Sequence, residues 1–361
     1  MKPLLSQSTL HIFQRRLLIW YRRHRRELPW RSRRDAYRIW VAEIMLQQTR
    51  IAAVLPYYHR FLGKFPTVRS LARAREEDAL RLWSGLGYYS RARNLRRAAQ
   101  EIVARHGAKF PRTLDAALAL PGVGRYTAAA VLSIAYDVPL AVLDGNVARV
   151  LGRIAAMRGD LRAPRRWHKL ADTAQDLLAP HAPGDWNQAL MELGETVCTP
   201  HSPRCGGCPV SSWCRARALD LTDSIPAPRR KRAAINVRIA AAIFRDPRGR
   251  TLLVRDSGTR DGALFSRLWQ FPAVEIARQP RAELEKRLRA TLGLNGTPLH
   301  LEPLSAARHG VTFRNITLLP FVVRVPRLPV IPGARVLLLS RLAQLPISSA
   351  TRKIAAALSE D

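Results

Sequence analysis

The hydrophobic period of this chain changes once, near residue 225, and that change limits the fold more than any other feature. Before it, apolar residues recur three and four positions apart over 10–22, 37–47, 68–83, 91–105, 114–120 and 125–136, the spacing that gathers them on one face of an α-helix. Gly and Pro punctuate the gaps, at Leu28-Pro29, Gly63, Gly85, Gly87, Gly107 and Pro121-Gly122. A Pro-rich, basic stretch at 226–234 reads as a linker. After it, 235–244, 250–255 and 311–325 are β-branched and alternating, with a turn signal at Asp246-Pro-Arg-Gly249. Helical spacing returns at 280–292 and 347–359. The expectation is a multidomain chain: an all-α domain over 1–225, the linker, and an α+β domain over 235–361. At 361 residues and 47% hydrophobic, the chain can fill two cores.

The best apolar stretch, Tyr126 to Leu143, is broken by Asp137 and Pro139, so no transmembrane helix is expected. The N-terminus has no clean apolar core before a small-residue cleavage site, so no signal peptide is expected either. Both point to the cytoplasm, where clustered cysteines are metal ligands or free thiols more often than disulfides.

Sixty basic residues stand against 27 acidic ones, a net charge of +33, and 53 of the 60 are Arg. Net charge constrains partners only loosely, and a codon preference for Arg would raise it too. Local clustering says more. Residues 15–34 hold nine Arg and a single acid, Glu27, interleaved with Trp20, Tyr21 and Trp30, a pattern suited to a phosphate-facing surface.

Four constellations carry chemistry. All four cysteines, Cys198, Cys205, Cys208 and Cys214, lie within 17 residues. Such clustering points to a bound metal; zinc usually shows two C-x2-C pairs and here there is one, four Cys also suit a [4Fe–4S] cluster, and spacing alone leaves both open. In Leu120-Pro-Gly-Val-Gly-Arg-Tyr-Thr-Ala128, Gly122 and Gly124 form a tight turn into a new helix. Backbone N–H groups and the helix dipole there can cradle a phosphate without side-chain charge. Asp144, in Leu143-Asp-Gly-Asn-Val147, stands where a helix begins, so it can cap that helix and serve as a fixed anion. Glu43 is the only charged residue between Arg38 and Arg50. In so apolar a helix it is either on the one exposed face or buried with a raised pKa. A protonated Glu beside an ionised Asp is the pair needed to break a glycosidic bond.

Taken together these residues resemble the helix-hairpin-helix DNA glycosylases of the endonuclease III superfamily, and most closely the MutY-type adenine DNA glycosylases. The resemblance rests on ELPWR (27–31), WVAEIMLQQT (40–49), LWSGLGYYSRARNL (82–95), LPGVGRYTAAAV (120–131), LDGNVARVLGR (143–153), WNQALMELG (186–194) and the four-Cys loop, in the family's order. It implies excision of adenine mispaired with 8-oxoguanine or guanine in double-stranded DNA, by an enzyme acting as a monomer in a bacterial cytoplasm, at the nucleoid during repair. The base must leave the stack to be reached. By the resemblance Glu43 is the general acid toward adenine N7. Asp144 stabilises the oxocarbenium-like sugar, with Tyr126 close by. Arg26, Trp30 and Gln188 line the adenine pocket, Gln48 and Tyr88 fill or wedge the gap in the duplex, and the four cysteines hold a [4Fe–4S] cluster. Relatives that also cut the strand carry a Lys where this chain has Tyr126. A phenol forms no Schiff base, and none of the seven Lys falls in a matching motif, so the enzyme is expected to be monofunctional.

The second half resembles the family's Nudix-like domain, which helps recognise 8-oxoguanine. Residues 262–272 match its Gly-Leu-Trp-Gly-Gly-Leu-Trp-x-Phe-Pro segment, with Ser266-Arg267 replacing two glycines. Aligned on Gly293, the places where a Nudix hydrolase needs clustered glutamates hold Arg287, Ala290 and Thr291. Without those hard ligands, Mg²⁺-dependent hydrolysis of nucleoside diphosphates is not expected. The family's Phe-Ser-His lesion-reading triplet falls on Phe313-Arg314-Asn315. Three rivals stand against this reading. A bifunctional lyase is opposed by Tyr126, a catalytically dead DNA binder by retention of Glu43 and Asp144, and a Nudix hydrolase by the missing glutamates.

Overall fold

Apolar periodicity sets the helices, and capping residues set where they start. The computed structural model describes residues 4–228, 233–255, 267–292, 299–311 and 313–358; Gly262 to Ser266, Gly293 and linker residues 229–232 lie outside them. Two compact units emerge, one from residues up to 73 together with 94–230, the other from 74–93 together with 231 onward. The segment 74–93, which reads in sequence as part of the helical half, therefore belongs with the C-terminal residues.

The helices run α1 (Gln7–His24), α2 (Ala36–Leu46), α3 (Ile51–Lys64), α4 (Val68–Arg73), α5 (Glu76–Trp83), α6 (Ser90–Arg105), α7 (Leu114–Leu118), α8 (Arg125–Tyr136), α9 (Gly145–Ile154), α10 (Pro164–Asp176), α11 (Pro183–Thr196) and α12 (Arg215–Ala218). The apolar run read at 68–83 is thus two helices, α4 and α5. Asp35 caps α2 by accepting the Arg38 N–H at 3.0 Å, and Asp144 caps α9 through the Val147 N–H at 2.7 Å. In the first unit α2, α8, α9 and α11 pack together around Trp40, Val131, Leu132, Leu151 and Trp186, all fully buried. One face of α11 is pressed so close to α8 that a Cβ on Gly184 would meet the Ser133 carbonyl oxygen at 2.7 Å.

In the second unit follow β1 (Ile235–Arg245), β2 (Arg250–Arg255), β3 (Trp269–Gln270), β4 (Ala273–Glu275), α13 (Pro280–Leu292), β5 (Leu301–Pro303), β6 (Ala307–Val311), β7 (Arg314–Arg324), β8 (Arg335–Leu338) and α14 (Ser349–Ala356). The larger sheet has the order β4-β1-β7-β5, with β6 also on β7. β1 and β7 pair in parallel from Ile235↔Arg314 to Arg245↔Arg324, while β4, β5 and β6 pair antiparallel. Ile243, Phe271, Ile316 and Leu318 pack with Ala350 and Ile354 of α14. On the opposite side Phe244, Phe321 and Val323 pack with Leu284 and Leu288 of α13. Burial of both faces explains why Ala240 to Phe244 is a continuous apolar run rather than an alternating one. The stretch 311–325 is no single strand, since Val311 ends β6 and β7, antiparallel to it, starts at Arg314.

Candidate active site

α2 brings Glu43 into the interior of the first unit, where 5% of its surface remains exposed. It receives a hydrogen bond from the Tyr126 hydroxyl at 2.9 Å. Tyr126 is in the first turn of α8, and its hydroxyl also lies 3.2 Å from the Met191 sulfur. Burial pushes the Glu43 carboxyl up to about 7; the Tyr126 bond opposes this and the charge of Asp144 adds to it. Burial likewise holds the Tyr126 phenol well above its ordinary value, so it stays protonated and donates. Burial raises Asp144 as well, against the backbone N–H groups of Val147 and Asn146, which favour its ionised form. The sequence expectation that a helix cap keeps Asp144 low is therefore only half the balance, since the cap works against substantial desolvation.

These groups line a cavity of about 570 Å³ with Arg26, Trp30, Gln48, Asn146, Gln188 and Glu192 among its walls. Gln188, on α11, spends its amide N–H on the Gly184 carbonyl of its own helix at 3.2 Å. Trp30 is buried edge-on against Tyr58. Arg26 forks onto both Glu192 oxygens at 2.6 and 2.9 Å and reaches Glu195 at 2.6 Å. Arg31 adds a 2.8 Å bond to Glu192. Burial pushes Glu192 up, but the two guanidinium groups outweigh it and its carboxyl sits below the usual range. Of the aromatic residues in 15–34, Trp20 stays partly exposed and stacked on His24, but Tyr21 and Trp30 do not face outward as the composition suggests. Tyr21 is fully buried under the Arg31 guanidinium, because α1 must bury its apolar stripe while Arg15, Arg16, Arg22 and Arg23 stay outside, and Trp30, beyond α1, is buried against Tyr58.

Gln47 ends α2 with a 3.2 Å bond to Thr127, and Gln48 follows in the left-handed region at φ 58°. Tyr88, in the second unit, is also left-handed at φ 47° and 39% exposed. Such backbone costs a non-glycine residue of order 1–3 kcal/mol. In the hairpin, Gly122 has φ 75°, and a Cβ there would come within 2.7 Å of the Asn94 Cβ, so only glycine fits. Gly124 instead caps α8 with ordinary φ and open space around it, leaving its backbone approachable. Phe313 sits at the β6–β7 turn, with the Arg314 guanidinium over its ring at 5.8 Å. The Asn315 amide donates to Asn236 on β1 at 3.3 Å.

Cys198, Cys205, Cys208 and Cys214 line one small cavity with Arg153 and Arg217, and none forms a disulfide. Burial, with the neighbouring cysteines adding to it, pushes the Cys208 thiol up to about 12. Among the described residues, no three His, Cys, Asp or Glu side chains are gathered as around a single ion. Arg153, 1% exposed, donates to the Cys198 sulfur at 3.3 Å and to the carbonyls of Thr199, Pro200 and Ile225 at 2.7–3.1 Å. The loop is thereby fastened to α9.

Residues 41–177 match the family described as HhH-GPD superfamily base excision DNA repair protein. A solved structure titled as a thermostable thymine-DNA glycosylase superposes on 59% of this chain and 98% of its own, with a TM-score of 0.53 and 28% identity. The adenine DNA glycosylase of Mus musculus is 50% identical over 56% of this chain, a match spanning 41% of the mouse protein. That of Rattus norvegicus is 38% identical over 95% of this chain and 77% of its own length. The chain belongs to the adenine DNA glycosylases.

Membership in the adenine DNA glycosylases makes the residues that sequence reasoning missed more pointed. Arg31, Asn146, Met191, Glu192 and Glu195 all line the cavity beside Glu43. One signal was available: Gln188, Glu192 and Glu195 recur at i, i+4 and i+7 along α11, one helical face carrying polar groups in an otherwise buried helix. None of the described helices is long and apolar enough to cross a membrane.

Proposed function

We propose that this adenine DNA glycosylase acts on double-stranded DNA in which adenine faces 8-oxoguanine or guanine, hydrolysing the N-glycosidic bond and leaving an abasic site. What carries the reading is the buried Glu43 carboxyl. Held near neutrality and hydrogen-bonded by Tyr126, it faces a cavity that also contains Asp144. Glu43 gives its proton to N7 of the flipped adenine. The bond from C1′ to N9 breaks with its electron pair passing to the purine, and Asp144 steadies the cationic sugar. Water then adds to C1′ and its proton returns to Glu43. Arg26, Trp30 and Gln188 hold the base, and Gln48 and Tyr88 occupy the space it vacates. The backbone around Gly122 and Gly124 takes a phosphate. The enzyme works as a monomer and cuts no strand through a Schiff base; no lysine is among the described residues that line the cavity.

The four-cysteine loop fits a [4Fe–4S] cluster held by Cys198, Cys205, Cys208 and Cys214. All four cysteines line one cavity, which offers the four-thiolate donor set that such a cluster takes. Burial raises the Cys208 and Cys214 thiols, so a cationic centre between the four sulfurs would favour their thiolate forms. Once bound, the cluster fixes the shape of the basic loop carrying Arg204, Arg215 and Arg217. In the second unit, a Nudix-like domain, the Phe313-Arg314-Asn315 turn approaches the base opposite adenine, Phe313 stacking and Arg314 taking a phosphate.

The test is single-turnover excision on duplexes bearing adenine opposite 8-oxoguanine, guanine, cytosine or thymine. Strand breaks should appear for the first two only, and only after alkali. Breaks without alkali, or a borohydride-trapped cross-link, would end the monofunctional reading. Equal rates opposite all four bases would end the mispair reading.

A further inference from the structure

Tyr88 is exposed on a strained turn, and something must hold that turn in place. Within it the Trp83 indole N–H bonds the Gly87 carbonyl at 3.2 Å, and Arg91 bonds the Leu86 and Gly87 carbonyls at 3.2 Å each. Further restraints come from residues more than 170 positions further along the chain, in the same compact unit. The Ile347 carbonyl accepts the Ser84 hydroxyl at 2.5 Å and the Tyr89 hydroxyl at 3.1 Å. Arg352, on α14, donates to the Ser84 carbonyl at 2.8 Å and to its hydroxyl oxygen at 2.7 Å. At the start of α5, Glu77 accepts from the Trp269 indole at 3.0 Å and from Arg335 at 3.2 Å. On α14, next to Arg352, the Lys353 ammonium donates to the Arg308 carbonyl of β6 at 2.5 Å. β6 leads directly into the Phe313 turn.

We propose that α14 is a positioning element, with Arg352 fixing the turn that presents Tyr88 while Lys353 fixes the strand that presents Phe313. The group that enters the duplex and the group that meets the opposing base are then set in one frame by neighbouring residues. Arg352 is a positioning residue, since it touches the turn and not the reacting atoms. Its loss lets the Ser84–Tyr89 turn relax toward less strained backbone, drawing Tyr88 away from its presented position.

The proposal rests on the reading of Tyr88 as a wedge, and the experiment separates the two. Full-length protein and the variants Arg352→Ala, Arg352→Lys, Tyr88→Ala and Tyr88→Ala/Arg352→Ala are compared on a duplex with 2-aminopurine beside the A:8-oxoguanine mispair. Both its fluorescence on unstacking and the single-turnover excision rate are followed. Arg352→Ala should lower the unstacking amplitude and slow excision about tenfold, the scale of one lost hydrogen bond to a charged group. Arg352→Lys, which keeps a cationic donor, should recover most of this. In the Tyr88→Ala background, Arg352→Ala should cause no further loss, since the turn then has nothing to present. An equal loss in both backgrounds, or an unaffected Arg352→Ala beside an impaired Tyr88→Ala, overturns the proposal alone. A Tyr88→Ala variant with wild-type unstacking and rate overturns the wedge reading and the proposal with it.

Discussion

At the scale of single residues the chemistry turns on how the protein keeps a proton on Glu43. Its carboxyl is at about 7 in the fold against 4.5 unfolded. Below pH 4.5 both states are neutral and nothing is lost. As pH rises the unfolded chain ionises first, so stability falls until the folded carboxyl also ionises near 7, a difference on the order of 3 kcal/mol. Glu43→Gln has no such penalty. Its melting temperature should therefore exceed the wild type's by a margin that grows from pH 5 to 8, while excision drops by roughly 10²–10⁴-fold or more. A constant margin across that range, or near-normal excision, would refute the buried-acid account. Tyr126→Phe removes the bond that lowers Glu43, so the falling limb of the rate–pH profile should move to higher pH; a limb that stays put would leave Tyr126 no electrostatic part. Glu43 stood out in sequence as one charge in a long apolar run, and Asp144 as a cap. The Arg26–Glu192–Arg31 cluster did not, because its members are 161 and 166 positions apart and only the fold brings them together.

At the scale of elements, α9 carries Asp144 at its start and Arg149 and Arg153 toward its end, and both arginines reach the cysteine loop. Arg153→Met keeps an apolar stem but strips the carbonyls of Thr199, Pro200 and Ile225 of their partner, and the buried one, of Ile225, costs about 1–3 kcal/mol when unpaired. The expected outcome is a denaturation midpoint well below wild type and iron and sulfide well below four per chain; full loading with unchanged stability would contradict it. Element positions were largely readable wherever one face is apolar, as in α1, α2, α6 and α8. α3 escaped notice because Pro56 interrupts its pattern yet is accommodated inside the helix. The boundary between β6 and β7 was hidden because the two strands share one alternating pattern.

At the scale of the whole molecule, the surprise is where 74–93 belongs. Its partners are as far as 268 positions away, and no local pattern announces such pairing. Deleting residues 233–361 would remove every C-terminal group that holds the Tyr88 turn, besides the Phe313 hairpin. The truncated protein should lose excision rate on both A:8-oxoguanine and A:G, more on the former; an unaffected A:G rate would show that the turn stands alone. The near-neutral acid has one more consequence, visible as heat. At pH 8 most free molecules carry Glu43 ionised, whereas a flipped adenine that dries the cavity favours the protonated form. Complex formation should then draw close to one proton from solution. Titration calorimetry with a non-cleavable adenine analogue would report it as a binding enthalpy that differs between phosphate and Tris in proportion to their ionisation heats, a difference that Glu43→Gln should abolish.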